Sequence, residues 1–201
     1  MPSKTIEVNM SEVRFTSDEN TALTTHGLTT CIAFLVQGSF WDDDEDEEIE
    51  YCGLYHWTGF DLSSTPHDQQ AVNILTHFFE KLRAFAGLGA TSDITIETLA
   101  FIGGEKEQRD ATNKILVSGT EAEVNSLKKA VTAFNFAALH LSLSPEDISY
   151  QHFLTSGEQS ISIELDISEY TVQFEETTPE TQDDIKEQDD MEYSSTTMLS
   201  A

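Results

Sequence analysis

Between two acidic stretches, the spacing of apolar residues changes from two to 3.6 and back, as it must in a chain that mixes strands with helices. One stripe is plain. Ala71, Ile74, Leu75, Phe78, Leu82 and Phe85 recur at three- and four-residue steps, which puts them on one face of a helix. Thr65 is a candidate cap, Pro66 suits the first helical position, Asp68 favours the N-terminal dipole, and Gly87 permits a left-handed stop. The helix is predicted over 66–86. A second helix opens with the capping-box pattern Thr120-Glu121-Ala122-Glu123 and buries Val124, Leu127, Val131 and Phe134.

The remaining apolar positions alternate as strands do. Ile32 to Val36 and Tyr51 to Trp57 are two such runs. Ile94 with Ile96, Leu139 with Leu141 and Leu143, Ile161 with Ile163 and Leu165, and Tyr170 with Val172 and Phe174 supply the others. A hairpin is expected near Ser156-Gly157. More antiparallel strands than helices, with the helices grouped mid-chain, predict an α+β sandwich of sheets carrying two main helices on an outer face. A doubly wound nucleotide-binding fold is excluded: Gly87-Leu88-Gly89 follows a helix, and Gly103-Gly104 lacks the third glycine of the fingerprint.

Composition narrows the partners. The 201 residues, 38% of them hydrophobic, make one domain with a real core. Thirty-seven acidic against ten basic residues give a net charge of −27, which repels phosphate backbones and anionic lipid heads, so nucleic-acid and membrane-surface binding are not expected. There is no long apolar run and no signal-peptide pattern at the start, which predicts a soluble, cytoplasmic protein, or an effector exported into a host cell by another route. Cys31 and Cys52 form no Cys-x-x-Cys pair and the six histidines are scattered, so neither a metal nor a cofactor is expected. The charge is concentrated in two places. Asp42 to Glu50 carries eight acids in nine residues, and the segment from Glu175 to Ala201 carries nine against one lysine. The second is poor in large apolar groups and predicts a disordered tail over 175–201, behind a folded domain over 1–174.

The first half of the chain holds one arrangement suited to chemistry. Thr25-His26-Gly27-Leu28-Thr29-Thr30-Cys31 precedes one strand, and Tyr51-Cys52-Gly53-Leu54-Tyr55-His56-Trp57 forms the next. A hairpin through the acidic insert would lay these strands side by side and let Cys31 meet His56. An imidazole can take the proton of a thiol and return it to a leaving group. A third group should hold the ring in the useful tautomer, and Thr25, through its hydroxyl or its carbonyl, or Asp61 is placed to do so. Cys52 lies four strand steps from His56, roughly 13 Å, and reads as core. So do Trp57 and Trp41, which flank the acidic run.

At these residues the sequence resembles the chemoreceptor glutamine deamidases of the CheD type, whose nucleophile ends a Thr-x-Gly-Leu-x-x-Cys signature and whose histidine lies on the following strand. The resemblance runs over roughly residues 5 to 174, through a long helix, a strand ending in Gly103-Gly104, a second helix and a closing set of strands. It implies a layered α/β/β fold, shared with Burkholderia lethal factor and the cytotoxic necrotizing factors. It also implies Cys31 as nucleophile, His56 as general base and Thr25 as orienting residue, acting on a glutamine of a partner protein without a cofactor. The acidic insert, expected near the site, would disfavour a thiolate and steer in a glutamine flanked by basic residues. The alternatives are a binding module of the same fold without the reaction, and an acidic adaptor whose tail recruits a basic partner.

Overall fold

A computed structural model of the chain describes residues 2–61, 63–87, 92–155 and 159–176. Twelve strands and two α-helices follow one another among these residues. The strands are β1 (Lys4–Glu7), β2 (Val13–Thr16), β3 (Thr21–Leu28), β4 (Ile32–Asp42), β5 (Glu47–Trp57), β6 (Ile94–Gly103), β7 (Gln108–Arg109), β8 (Ile115–Val117), β9 (Leu141–Ser142), β10 (Ile148–His152), β11 (Gln159–Leu165) and β12 (Tyr170–Glu176). Helix α1 (His67–Ala86) follows β5, and α2 (Glu121–Ala133) follows β8.

The strands form a four-stranded sheet in the order β1-β3-β11-β12, a six-stranded sheet in the order β10-β6-β4-β5-β2 with β9 beside β6, and a small β7-β8 ribbon. Pairing is mostly antiparallel; β1 with β3, and β9 and β10 with β6, run parallel. Alternation along β4 shows how the layers stack. Ile32, Phe34 and Val36 pack with Leu75, Phe78 and Leu82 of α1 and with Leu127 and Val131 of α2. Ala33 and Leu35 face the other way, with Cys52, Leu54, Ala100 and Ile102, onto Leu23, Leu28, Ile161, Ile163 and Leu165 of the smaller sheet. The six-stranded sheet is therefore the middle layer, which explains the unbroken apolar stretches Ile32 to Val36 in β4 and Leu99 to Ile102 in β6. The fold is the expected α+β sandwich with both helices on one outer face.

Several local expectations are corrected. Helix α1 ends at Gly87 with a left-handed φ of 65°, as its sequence requires, but Pro66 sits just outside the helix and no side chain caps its start. The capping box at Thr120 does not form, because the Thr120 hydroxyl accepts the Glu105 N–H instead, at 3.0 Å. The alternation of Leu139, Leu141 and Leu143 yields a 3-10 turn at Phe136–Leu139 and only a two-residue strand. Asn135 starts that turn by accepting the Ala138 N–H. Ser156 and Gly157 lie outside the described residues; β10 and β11, on either side of them, belong to different sheets, so no hairpin joins these two strands. Trp41 is 51% exposed, whereas Trp57 is buried against Phe34 and Phe60. The tail over 177–201 also lies outside the described residues; Glu175 and Glu176 belong to β12. No helix among the described residues is long and apolar enough to cross a membrane.

Candidate active site

Strand β3 carries the first site residue into the sandwich through a bulge. The four residues from Thr25 to Leu28 are set against only three from Ile161 to Ile163, so β3 holds one extra residue, and Gly27 has a φ of 69° there. Thr25 and Leu28 consequently both point inward, while His26 and Gly27 are exposed. A side chain at Gly27 would strain that backbone. The chain then crosses from the smaller sheet to the middle one through Thr29, Thr30 and Cys31.

Cys31 sits just ahead of β4, half-buried, and packs against the core between the two sheets. Its carbonyl accepts the Gly104 N–H at 2.9 Å. A Cβ on Gly103, whose φ is 114°, would lie 2.5 Å from that carbonyl oxygen, so only glycine lets the end of β6 approach this closely. The amides of Thr29, Thr30 and Cys31 have no hydrogen-bond acceptor among the described residues.

His56 lies opposite Ala33 in the β4-β5 ladder. Cys31 continues the same face two residues before Ala33, a diagonal position for which Cα atoms are usually about 7–8 Å apart. The backbone of His56 is pinned on its outer side: its N–H donates to Glu12 O at 3.1 Å, and its carbonyl accepts the Ser11 N–H at 2.8 Å.

The ring, 3% exposed, meets the Thr25 hydroxyl through Nδ1 at 2.8 Å. That hydroxyl has one proton, which it donates to the Val8 carbonyl, also at 2.8 Å. It can therefore only accept from the ring. Nδ1 carries the hydrogen, and Nε2 is a bare lone pair with no hydrogen-bond partner. The thiol is thus not bonded to the ring in this state. Burial pushes the Cys31 thiol above its ordinary range and holds His56 below its own, so the resting pair is neutral.

The Thr25 hydroxyl meets the His56 ring directly, and Cys31 continues the face of β4 on which Ala33 lies opposite His56. Asp61 takes no part: its carboxylate accepts the Ser63 N–H at 2.9 Å, in an exposed turn. Cys52 is fully buried, and burial raises its thiol to about 12. The Val8 carbonyl is the member that sequence reasoning missed, since a backbone group on an apolar residue leaves no mark in the sequence.

The acidic insert is not near this site. In the β4-β5 ladder, Ile32 pairs with Trp57 at one end and Asp42 with Glu47 at the other. Ten residue steps at about 3.3 Å put the acidic tip roughly 33 Å from Cys31. With a Debye length of about 8 Å, charges at that distance barely affect the thiol.

Fold and site together define a three-layer α+β protein in which a tautomerically fixed imidazole and a half-buried thiol share one face of the middle sheet. No family model matches the chain, and no curated protein matches its sequence.

Proposed function

We propose that the protein is a protein-glutamine deamidase with Cys31 as nucleophile, His56 as general base and acid, and Thr25 as the residue that orients the ring. The hydrogen-bond relay from His56 Nδ1 through Thr25 to the Val8 carbonyl carries this reading, because it leaves Nε2 an unpartnered base on the thiol's side of the sheet. A buried imidazole kept only for packing would be expected to have both ring nitrogens satisfied.

The chemistry follows from the neutral pair. As Cys31 attacks the carboxamide carbon of a glutamine, Nε2 takes the thiol proton, so no resting thiolate is needed. The amides of Thr29, Thr30 and Cys31, which have no acceptor among the described residues, bind the oxyanion of the tetrahedral intermediate in this proposal. The imidazolium returns its proton to the leaving nitrogen, which departs as ammonia. A water then loses its proton to Nε2, attacks the thioester carbonyl and releases glutamate and the free thiol. Each turnover exchanges a neutral side chain for an anionic one, which alters the partner's interfaces. This sequence needs no cofactor.

The test is a comparison of native protein extracts treated with the wild-type chain or with Cys31→Ser. Glutamine sites should gain about one mass unit only with the wild type, as thiol attack requires. If no site distinguished the two treatments, the proposal would be rejected.

A further inference from the structure

Besides His56 Nε2, three buried side-chain atoms among the described residues lack a hydrogen-bond partner: Ser149 Oγ, His152 Nε2 and Thr155 Oγ1. The last two line one cavity of about 310 Å³, together with Glu105, Lys106, Gln108 and Phe153. His152 Nδ1 must carry a hydrogen, because it meets the Gly103 carbonyl at 3.2 Å. Burial holds that ring down to about 4, so it is neutral and Nε2 is a buried acceptor without a donor.

Glu105 adds a charge to this set. It is 3% exposed, and its backbone is clamped on both sides by Thr120, whose hydroxyl accepts the Glu105 N–H at 3.0 Å and whose N–H donates to the Glu105 carbonyl at 2.9 Å. Its side chain accepts one hydrogen bond, from Gln108 Nε2 at 2.5 Å, and has no ion pair among the described residues. Lys106 stands over the Phe153 ring and Lys128 over the Tyr150 ring, and neither bonds to Glu105. A buried carboxylate without a counter-charge is costly, and so are two buried acceptors without donors. All three deficits are met by a ligand that brings positive charge and several divergent N–H groups. A guanidinium has five such donors in a planar fork, whereas an ammonium is compact and strongly hydrated.

We propose that this cavity takes the guanidinium of an arginine on the partner protein, close in sequence to the target glutamine. The binding site stands on its own geometry; only the arginine's nearness to a glutamine rests on the deamidase reading. Gly104 N–H bonds the Cys31 carbonyl, and Phe153 N–H bonds the Gly103 carbonyl, so Phe153 is two strand spacings, about 10 Å, from Cys31. An extended peptide covers that distance in about three residues. The net charge of −27 favours a basic partner, and Glu105 supplies beside the site the negative group that the distant acidic tip cannot.

The test is NMR titration of the full chain with N-acetyl-arginine amide, with the citrulline and lysine analogues as controls, read at the His152 ring nitrogens. Saturable shifts with the arginine probe are expected, with citrulline binding at least about tenfold more weakly, as loss of a charge-assisted hydrogen bond implies. Glu105→Gln should remove the preference for arginine over citrulline, and Thr155→Val should weaken arginine binding severalfold. Cys31→Ser should leave it unchanged. If Glu105→Gln does not fold, the wild-type preference and Thr155→Val decide. No shift at His152, or citrulline binding as well as arginine, would overturn the inference. Arginine binding without any glutamine deamidation would sink the enzymatic reading and leave the site standing; deamidation with no preference for arginine would do the reverse.

Discussion

His56 and His152 are the same chemical object in two settings. The His56 ring is buried and the His152 ring half-buried, yet each gives its Nδ1–H to a fixed oxygen and each is left with a bare Nε2. Burial pushes both below the ordinary histidine range. They differ in their neighbours. His56 stands between the two sheets, on the face continued by a half-buried thiol, and its Nδ1 acceptor is a hydroxyl relayed to Val8. His152 leans on a backbone carbonyl and lines a cavity with an unpaired carboxylate. Tautomer and protonation state therefore do not determine a role; the group placed near Nε2 does. On the readings proposed above, one ring takes a proton from sulfur and the other accepts a hydrogen bond from a ligand.

The sharpest way to break this comparison is to remove each ring in turn. His56→Gln should lower glutamine deamidation by roughly 10²- to 10⁴-fold, the usual contribution of a general base, and Cys31→Ser should abolish it. His56→Gln should also slow alkylation of Cys31 by iodoacetamide at neutral pH. His152→Gln should change that alkylation rate by less than about twofold, since the ring touches neither reacting group. Equal losses in the two variants would show that the rings do not have separate roles.

Removing the relay produces a smaller effect. Thr25→Val leaves His56 Nδ1–H and the Val8 carbonyl unpaired, at a cost of about 1–3 kcal/mol in stability for buried groups of this kind. Turnover should fall roughly 10- to 100-fold, less than on loss of the base itself. A purely structural role predicts the stability loss alone. The discriminating readout is the ring nitrogen spectrum: the wild type should show hydrogen on Nδ1 of His56, Thr25→Val a mixture of tautomers, and Thr25→Ser the wild-type pattern with most of the activity.

Acid titration separates the rings more gently. The folded value for His152 is about 4 against an ordinary 6.5, so between these pH values the unfolded chain binds more protons. Stability should therefore fall as pH drops from 6.5 to 4 and gain nothing from this group above that range. Solvent at the half-buried ring keeps the loss to about 1–2 kcal/mol. Denaturant midpoints at pH 7 and pH 4.5 should show less acid destabilisation in His152→Gln than in the wild type. His56→Gln should flatten the curve in the same direction. An unchanged pH dependence in His152→Gln would mean that the ring titrates normally.

The two settings were not equally legible in the sequence. Thr25, Cys31 and His56 could be placed because a short signature and two adjacent strands carry them, and the β4-β5 register then sets Ala33 opposite His56. The α+β layering was legible for a similar reason, since unbroken apolar runs mark a sheet covered on both faces. Glu105 follows β6, whereas His152 and Thr155 lie at and just after the end of β10, and these two segments meet only when β10 lies parallel to β6, a pairing that no local pattern encodes. The Thr120 hydroxyl could not be assigned either, because a helix cap and the Glu105 backbone compete for it and tertiary packing decides. Strands β1 and β2 lie at sheet edges, where exposed polar side chains blur the alternation.

The weakest expected effect concerns the acidic insert, and it follows from strand length alone. Asp42 and Glu47 close the far end of a ladder that begins at Ile32 and Trp57, so the tip charges are roughly 33 Å from the thiol, about four screening lengths at physiological salt. Replacing Asp43, Asp44, Glu45 and Asp46 with neutral residues should leave the rate of Cys31 alkylation by a small neutral reagent within about twofold of wild type. The result should be the same at low and high salt. Glu105→Gln removes only one charge, yet that charge lines the cavity beside the site. It should weaken an arginine-bearing probe that the four tip substitutions leave untouched. A large, salt-dependent change on neutralising the tip would mean that the hairpin folds back toward Cys31 in solution. In that case the negative field at the site would come from the insert rather than from Glu105.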